Sequence, residues 1–188
     1  MMGKLILASS SPNRRQILER AGIEFDWMVS DADENAEGLS PAELVLELSR
    51  RKLEAVLPRC AADDVVVTAD TVVSIDDEIL GKPGDRVEAE RFLRLLSGRT
   101  HVVYTGVHIA HNGCVKSFFQ TTDVIFYPLE EREITAYLDS GEWFGKAGGY
   151  GIQGPAALFV KGIVGDYNNI FGLPAAQLMR EIAELTKE

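Results

Sequence analysis

Leu5-Ile6-Leu7-Ala8-Ser9-Ser10-Ser11-Pro12-Asn13-Arg14-Arg15 runs an apolar strand straight into three serines, a proline and two arginines. The spacing predicts a strand over 4–8 and a helix over 12–21, with Gly22 as the stop and Ile17, Leu18 and Ala21 on one face. Ser11 can cap that helix, because Pro12 lacks the N–H that a first turn leaves unpaired. Free N–H groups, serine hydroxyls and guanidinium groups can then converge on one anion. An ordinary capped helix with wet arginines fits these residues equally well.

Working outward, strands and helices mix. A second strand is expected over 23–29, followed by the acidic stretch Ser30-Asp31-Ala32-Asp33-Glu34-Asn35. Ser40-Pro41 opens a long helix that ends before Pro58. A valine-rich strand region over 64–75 is interrupted by Thr68-Ala69-Asp70-Thr71 and turns at Asp76-Asp77. A helix follows over 85–96. Residues 100–110 and 114–126 flank Asn112-Gly113, a hairpin signal. A helix over 130–138, a strand over 156–160, a less regular one over 163–171 and a helix after Pro174 complete the pattern. Helices interleaved with strands and an antiparallel hairpin predict an α/β or α+β protein with a mixed sheet. No repeat, low-complexity run or linker divides the 188 residues.

Composition narrows the function classes. The net charge is -10, which repels nucleic acid and anionic membrane in general. A phosphate ligand therefore needs a local cluster of cations. Cys60 and Cys114 stand alone, so neither a disulfide framework nor a thiolate zinc site is expected. The N-terminal apolar run is too short for a signal peptide or a membrane span, which points to the cytoplasm.

Several residues break local rules. Lys52 falls within a helical stripe of Leu44, Val45, Leu48, Ala55 and Val56, with Leu46 and Leu53 opposite. It either snorkels from the edge or sends its ammonium toward an anion. Asp70 sits inside a valine strand, where a carboxylate needs a cation or hydrogen bonds. It reads as a metal ligand or general base, with a strand-end aspartate capping a bulge as the alternative. Glu34 could join it on a hydrated Mg²⁺, which asks for one or two carboxylates plus phosphate oxygens, although a solvated acidic loop explains Glu34 as well. Lys82, in Gly81-Lys82-Pro83, can return toward Asp70 or make a surface ion pair. Gly149 to Gly154 matches G-x-G-x-x-G, but no strand precedes it, so it is no dinucleotide fingerprint. Gln153 in that loop offers a donor and an acceptor suited to a nucleobase edge, and a simple flexible loop is the alternative. Tyr150 and Trp143 could stack a base or pack in a core. His101, His108 and His111 lack metal-ligand spacing.

Taken together, the chain resembles the Maf family of nucleotide pyrophosphatases. The resemblance rests on Ala8-Ser9-Ser10-Ser11-Pro12-Asn13-Arg14, Leu48-Ser49-Arg50-Arg51-Lys52, Ala69-Asp70-Thr71-Val72-Val73 and Gly81-Lys82-Pro83. It continues in Leu96-Ser97-Gly98-Arg99-Thr100, the run Lys146 to Gly154, and Gly172-Leu173-Pro174. It implies a single catalytic domain over 1–188 with an elongated, inosine-triphosphatase-like mixed sheet, helices and two lobes around a cleft. It implies a hydrolase dependent on Mg²⁺ or Mn²⁺ that converts nucleoside triphosphates to monophosphate and pyrophosphate. Within that resemblance Asp70 is the acid/base residue. Ser9, Ser11, Arg14, Lys52 and Lys82 hold phosphates, Glu34 helps Asp70 place the metal, and Thr71, Gln153 and Asn13 shape nucleotide choice. The Gly-Tyr-Gly-Ile-Gln run is similar to the branch that prefers dTTP and UTP, although that branch often has arginine where this chain has Asn13. A nucleotide-binding regulator of cell division without turnover is the rival reading. The oligomeric state is open, a homodimer included.

Overall fold

A computed structural model describes residues 3–187. The strands are β1 (Leu5–Ala8), β2 (Asp26–Met28), β3 (Val65–Ile75), β4 (Glu78–Leu80), β5 (Thr100–His111), β6 (Cys114–Phe126) and β7 (Val160–Val164). The helices are α1 (Pro12–Arg20), α2 (Pro41–Val56), α3 (Arg86–Leu96), α4 (Glu131–Ser140), α5 (Tyr167–Ile170) and α6 (Ala175–Leu185). One sheet holds these seven strands in the order β2-β1-β3-β5-β6-β7, with β4 paired to β3. β1 pairs in parallel with both β2 and β3, in the registers Ala8 to Met28 and Leu5 to Val65. β4 on β3 and β7 on β6 are antiparallel. The expected mixed α/β sheet is what forms.

The chain divides into two compact units. The first takes in the chain up to Asp70, Thr105–Gln120 and the chain from Gly172 onward; the second holds Thr71–Tyr104 and Thr121–Phe171. A core of the first unit gathers Ala8, Leu53, Val56, Val66 and Ala110. The second is richer in aromatic rings: Phe92, Phe126, Tyr137, Tyr150 and Phe159 pack with Leu80, Leu93 and Leu96.

In the first unit α2 lies directly on β5. A Cβ on Gly106 would come within 2.5 Å of the Val45 carbonyl. Helix backbone and strand backbone meet at that point, and only a residue without a side chain permits it. The start of α2 is fixed by a reciprocal cap. Ser40 Oγ accepts from the Glu43 N–H, and Glu43 Oε2 accepts from the Ser40 N–H at 2.9 Å.

Five local expectations change. Ser11 is the residue before α1, but its side chain makes no cap bond. Ala21 is exposed while Ile17 and Leu18 are buried. β3 runs unbroken through Thr68-Ala69-Asp70-Thr71, because the polar groups of its middle find partners on α2. Thr68 Oγ1 donates to the Ser49 carbonyl at 2.7 Å, and Asp70 accepts from Lys52. The buried stripe of α2 is Val45, Leu48, Ser49, Leu53 and Val56, with Leu44 half-buried and Ala55 exposed.

The fifth change lies in the second unit. Residues 155–159 form a 3-10 turn, not a strand. Pro155 fixes its own φ and has no N–H for a ladder, and Ala157 N–H donates back to the Gly154 carbonyl at 3.0 Å. Ala156 and Phe159 are buried three positions apart, the period of a 3-10 helix. The strand is displaced to β7, which takes in the first two residues of the irregular strand expected over 163–171, and Tyr167–Ile170 of that span form α5, capped by Asp166 accepting from the Asn168 N–H at 2.8 Å.

Candidate functional site

In the first unit the β1–α1 corner and the middle of β3 carry the polar residues singled out from sequence. Ser9 follows the last residue of β1 and is buried. Its Oγ accepts from the Ser11 N–H at 3.1 Å and from Arg14 Nη1 at 3.2 Å. Ser9 therefore ties the corner to Arg14, while the cap expected of Ser11 is not made. With both lone pairs used, the hydroxyl's remaining capacity is as a donor, the role a phosphate oxygen requires. Arg14 is buried too, and its Nε donates to the Gly172 carbonyl at 2.7 Å. Burial pulls the guanidinium down from its ordinary range, and the negative charges of Asp70 and Glu34 oppose that pull. Arginine remains a cation throughout the physiological range. Asn13 is half-buried one position before it.

Lys52 is the pivot of the other half. Its Nζ donates to Asp70 Oδ1 at 2.6 Å and stands 3.0 Å from Glu34 Oε1. The side chains of Lys52 and Asp70 are 12% and 11% exposed, and that of Glu34 is 51% exposed. The stem of Lys52 lies within the apolar stripe of α2, and its head meets the two carboxylates. The geometry favours the inward reading of Lys52 over snorkelling into open water. It also brings Glu34 to Asp70's partner, which separates it from a merely solvated acidic loop.

Asp70 and Glu34 are hard oxygen donors brought together on one cation. With phosphate oxygens and waters completing a shell, that set fits a divalent magnesium-like ion. Among the described residues no group of three or more histidine, cysteine or acidic side chains is placed for a metal.

The second unit holds Thr71, Lys82 and Gln153. Thr71 is half-buried in β3. Lys82 is exposed just beyond β4, whose register sets Leu80 opposite Val73 and so aims the chain back along β3 toward Thr71. Gln153 is half-buried in the glycine loop. That loop is pinned at several points. Gly148 N–H donates to the Gly81 carbonyl at 3.0 Å, next to Lys82. Gly151 N–H donates to the Tyr137 hydroxyl at 3.2 Å. The Tyr150 hydroxyl is 2.7 Å from His101 Nε2, with both residues buried. Tyr150 is thus a buried core ring with no face for a base, and Trp143 is half-buried beside that core.

Arg51 and His101 were not among the residues singled out for a role in the site. His101 carries only a weak signal, a lone histidine in a strand. Arg51 carries a local one, a carboxylate four positions earlier at Glu47.

Similar proteins place the chain. A dTTP/UTP pyrophosphatase of Bacillus anthracis (strain CDC 684 / NRRL 3495) is 45% identical over 184 residues, covering 97% of this chain and 96% of its own length. A dTTP/UTP pyrophosphatase of Bacillus thuringiensis subsp. konkukian (strain 97-27) matches to the same extent. One from Bacillus mycoides (strain KBAB4) is 44% identical over 188 residues, covering 100% and 98%. Among solved structures, that of the Staphylococcus aureus Ham1 protein overlaps 66% of this chain and 72% of its own, at 14% identity and a TM-score of 0.47. The family model described as Maf-like protein matches residues 4–185, and on that span and the identity to the Bacillus proteins the chain belongs to the Maf family.

Proposed function

We propose that this chain hydrolyses nucleoside triphosphates, dTTP and UTP foremost, to the monophosphate and pyrophosphate. The activity is assigned to residues 1–188 as one catalytic domain. The observation that carries the reading is Lys52 joined to both Asp70 and Glu34 in the same unit as the buried Ser9–Arg14 pair. An acidic chain has gathered cations and hydroxyls around the carboxylates that its chemistry needs. The names of the Bacillus relatives supply the nucleotide preference.

In this mechanism Asp70 takes a proton from a water as its oxygen attacks the α-phosphorus. The bond from that phosphorus to the bridging oxygen breaks, and pyrophosphate leaves with the electron pair. Arg14, Lys52 and Lys82 stabilise the charge that grows on the leaving group. Ser9 and Ser11 hold phosphate oxygens as donors. Asp70 and Glu34 would hold Mg²⁺ or Mn²⁺, which neutralises triphosphate charge and polarises the water. Thr71 and Gln153 address the base, and neutral Asn13 leaves the charge of the corner to Arg14.

Pyrophosphate release from a panel of triphosphates, with Mg²⁺ or Mn²⁺, tests the reading. Turnover is expected with dTTP and UTP above purine triphosphates. Asp70→Asn is expected to lower it by about 10²–10⁴-fold, with an unchanged circular dichroism spectrum, because Lys52 keeps Glu34 as a partner. Wild-type turnover in Asp70→Asn overturns the assignment. Tight nucleotide binding without pyrophosphate release supports the regulator instead.

A further inference from the structure

Glu34 is held from an unexpected direction. Arg51 Nη1 donates to the Asn35 carbonyl at 2.8 Å and to the Asp33 carbonyl at 3.3 Å. One guanidinium nitrogen thus bridges the two carbonyls on either side of Glu34. The Arg51 Nε donates to Glu47 Oε1 at 2.7 Å, one turn earlier on α2. The side chain is therefore fixed at one end to the helix and at the other to the main chain of the acidic loop. Hydrogen bonds from Arg50 and Arg51 hold the Glu47 carboxyl down to about 2, so that anchor stays ionised.

The loop is also braced from within. Asp33 Oδ1 accepts from the Asn35 N–H at 2.9 Å and from Asn35 Nδ2 at 2.8 Å. Glu34 is thereby the central residue of a closed turn whose flanking carbonyls face Arg51. Consecutive residues of α2 divide the task. Arg51 grips the turn's backbone, and Lys52 meets its carboxylate.

We propose that Arg51 is a positioning residue for Glu34: it fixes the acidic turn so that the Glu34 carboxylate is presented for a divalent cation. This rests on the metal role given to Glu34 above. A half-exposed carboxylate on a loose loop would have to be ordered each time a cation binds, and that cost weakens the affinity. Arg51 has the turn ordered beforehand. Arginine suits the position because its planar fork reaches Glu47 and two carbonyls at once. A lysine ammonium on a flexible stem cannot hold both ends.

The sign of the effect separates positioning from simple charge. Removing a cation beside carboxylates should tighten Mn²⁺ binding on electrostatics alone. Positioning predicts the reverse.

Hydrogen exchange of residues 31–37 in the full chain, titrated with Mn²⁺ alone, tests this. In the wild-type chain Mn²⁺ is expected to slow exchange in the turn, and the midpoint gives its affinity. Arg51→Ala is expected to speed exchange there without Mn²⁺ and to raise the Mn²⁺ midpoint by about 10–100-fold. Arg51→Lys is expected to behave like Arg51→Ala despite keeping the charge. Glu34→Gln is expected to keep the slow basal exchange and lose the response to Mn²⁺.

Faster exchange with an unchanged or lowered midpoint overturns the proposal, as does basal exchange unaltered by Arg51→Ala. Full rescue by Arg51→Lys overturns it, because an ammonium lacks the fork on which the positioning depends. A Glu34→Gln chain that still responds to Mn²⁺ overturns it through the metal role on which it rests, while faster basal exchange in Arg51→Ala would leave the backbone grip itself standing.

Discussion

Lys52 is the cation on which two carboxylates depend, and the more buried of them is Asp70. Lys52→Met would leave the Asp70 charge without that partner among apolar strand residues. Breaking such a pair costs about 3–5 kcal/mol. Adding Asp70→Asn removes the stranded charge, so the double variant is expected to recover much of the loss. A double-mutant cycle by urea unfolding checks this, and additive costs would show that the two residues are not coupled. His101 makes a separate prediction. Burial pushes its imidazole down from 6.5 to about 4. The folded value lies below the unfolded one, so stability is fully present above about pH 6.5 and falls as pH drops toward 4. The loss approaches about 3 kcal/mol at the acid end. His108, also pushed down chiefly by burial, adds to the same limb. Unfolding curves from pH 4 to 8 should show a shallower slope in His101→Gln.

At the scale of elements, the polar chemistry comes from matching two periods. Thr68 and Asp70 are two apart on β3, and Ser49 and Lys52 are three apart on α2. Each pair presents one face, and the faces meet. Sequence showed both anomalies, Lys52 on an apolar stripe and Asp70 in a valine run, because each breaks its own element's pattern. It did not show that they satisfy each other, since that depends on how α2 lies across the sheet. For the same reason β3 was expected to break where it does not. The failure at 155–159 had another cause: a short apolar run after proline serves a strand or a 3-10 turn, and the choice came from core contacts of Ala156 and Phe159. The glycine loop makes the element-scale prediction. A Cβ on Gly148 would stand 2.8 Å from Val73 Cγ2, at a φ of +68°. Gly148→Ala is expected to cost about 1–3 kcal/mol, with additional backbone strain. Val73→Ala alongside it should relieve the two Cγ contacts, while the Cβ at 3.0 Å and the backbone strain remain. Thermal melts of the single and double variants read both terms.

For the whole molecule, a net charge of -10 makes polyanion binding a local exception. Pyrophosphate should then stabilise the chain through the residues given to phosphate, by about 2.7 kcal/mol at 100 times its dissociation constant. Arg14→Met is expected to remove most of the resulting shift in melting temperature, and an unchanged shift would displace Arg14 from that role. Two lobes were expected from the resemblance, but where the chain passes between the two units was not legible in the residues, and the reason is physical. The boundaries fall within β3, β5 and β6, between Asp70 and Thr71, Tyr104 and Thr105, and Gln120 and Thr121. Extended strands continue through each of these points, so no proline- or glycine-rich linker marks them.

The contact of Gly106 with the Val45 backbone has a consequence for how this chain can change over time. A side chain there meets main-chain atoms, which no neighbouring substitution can shrink. Compensation is open to Gly148, whose obstacle is the Val73 side chain, but not to Gly106. In a saturation library selected for folded protein, codon 106 should return glycine in every background, while tolerance at codon 148 should depend on what occupies codon 73. Position 106 is thus a fixed point of the lineage, and position 148 is a negotiable one.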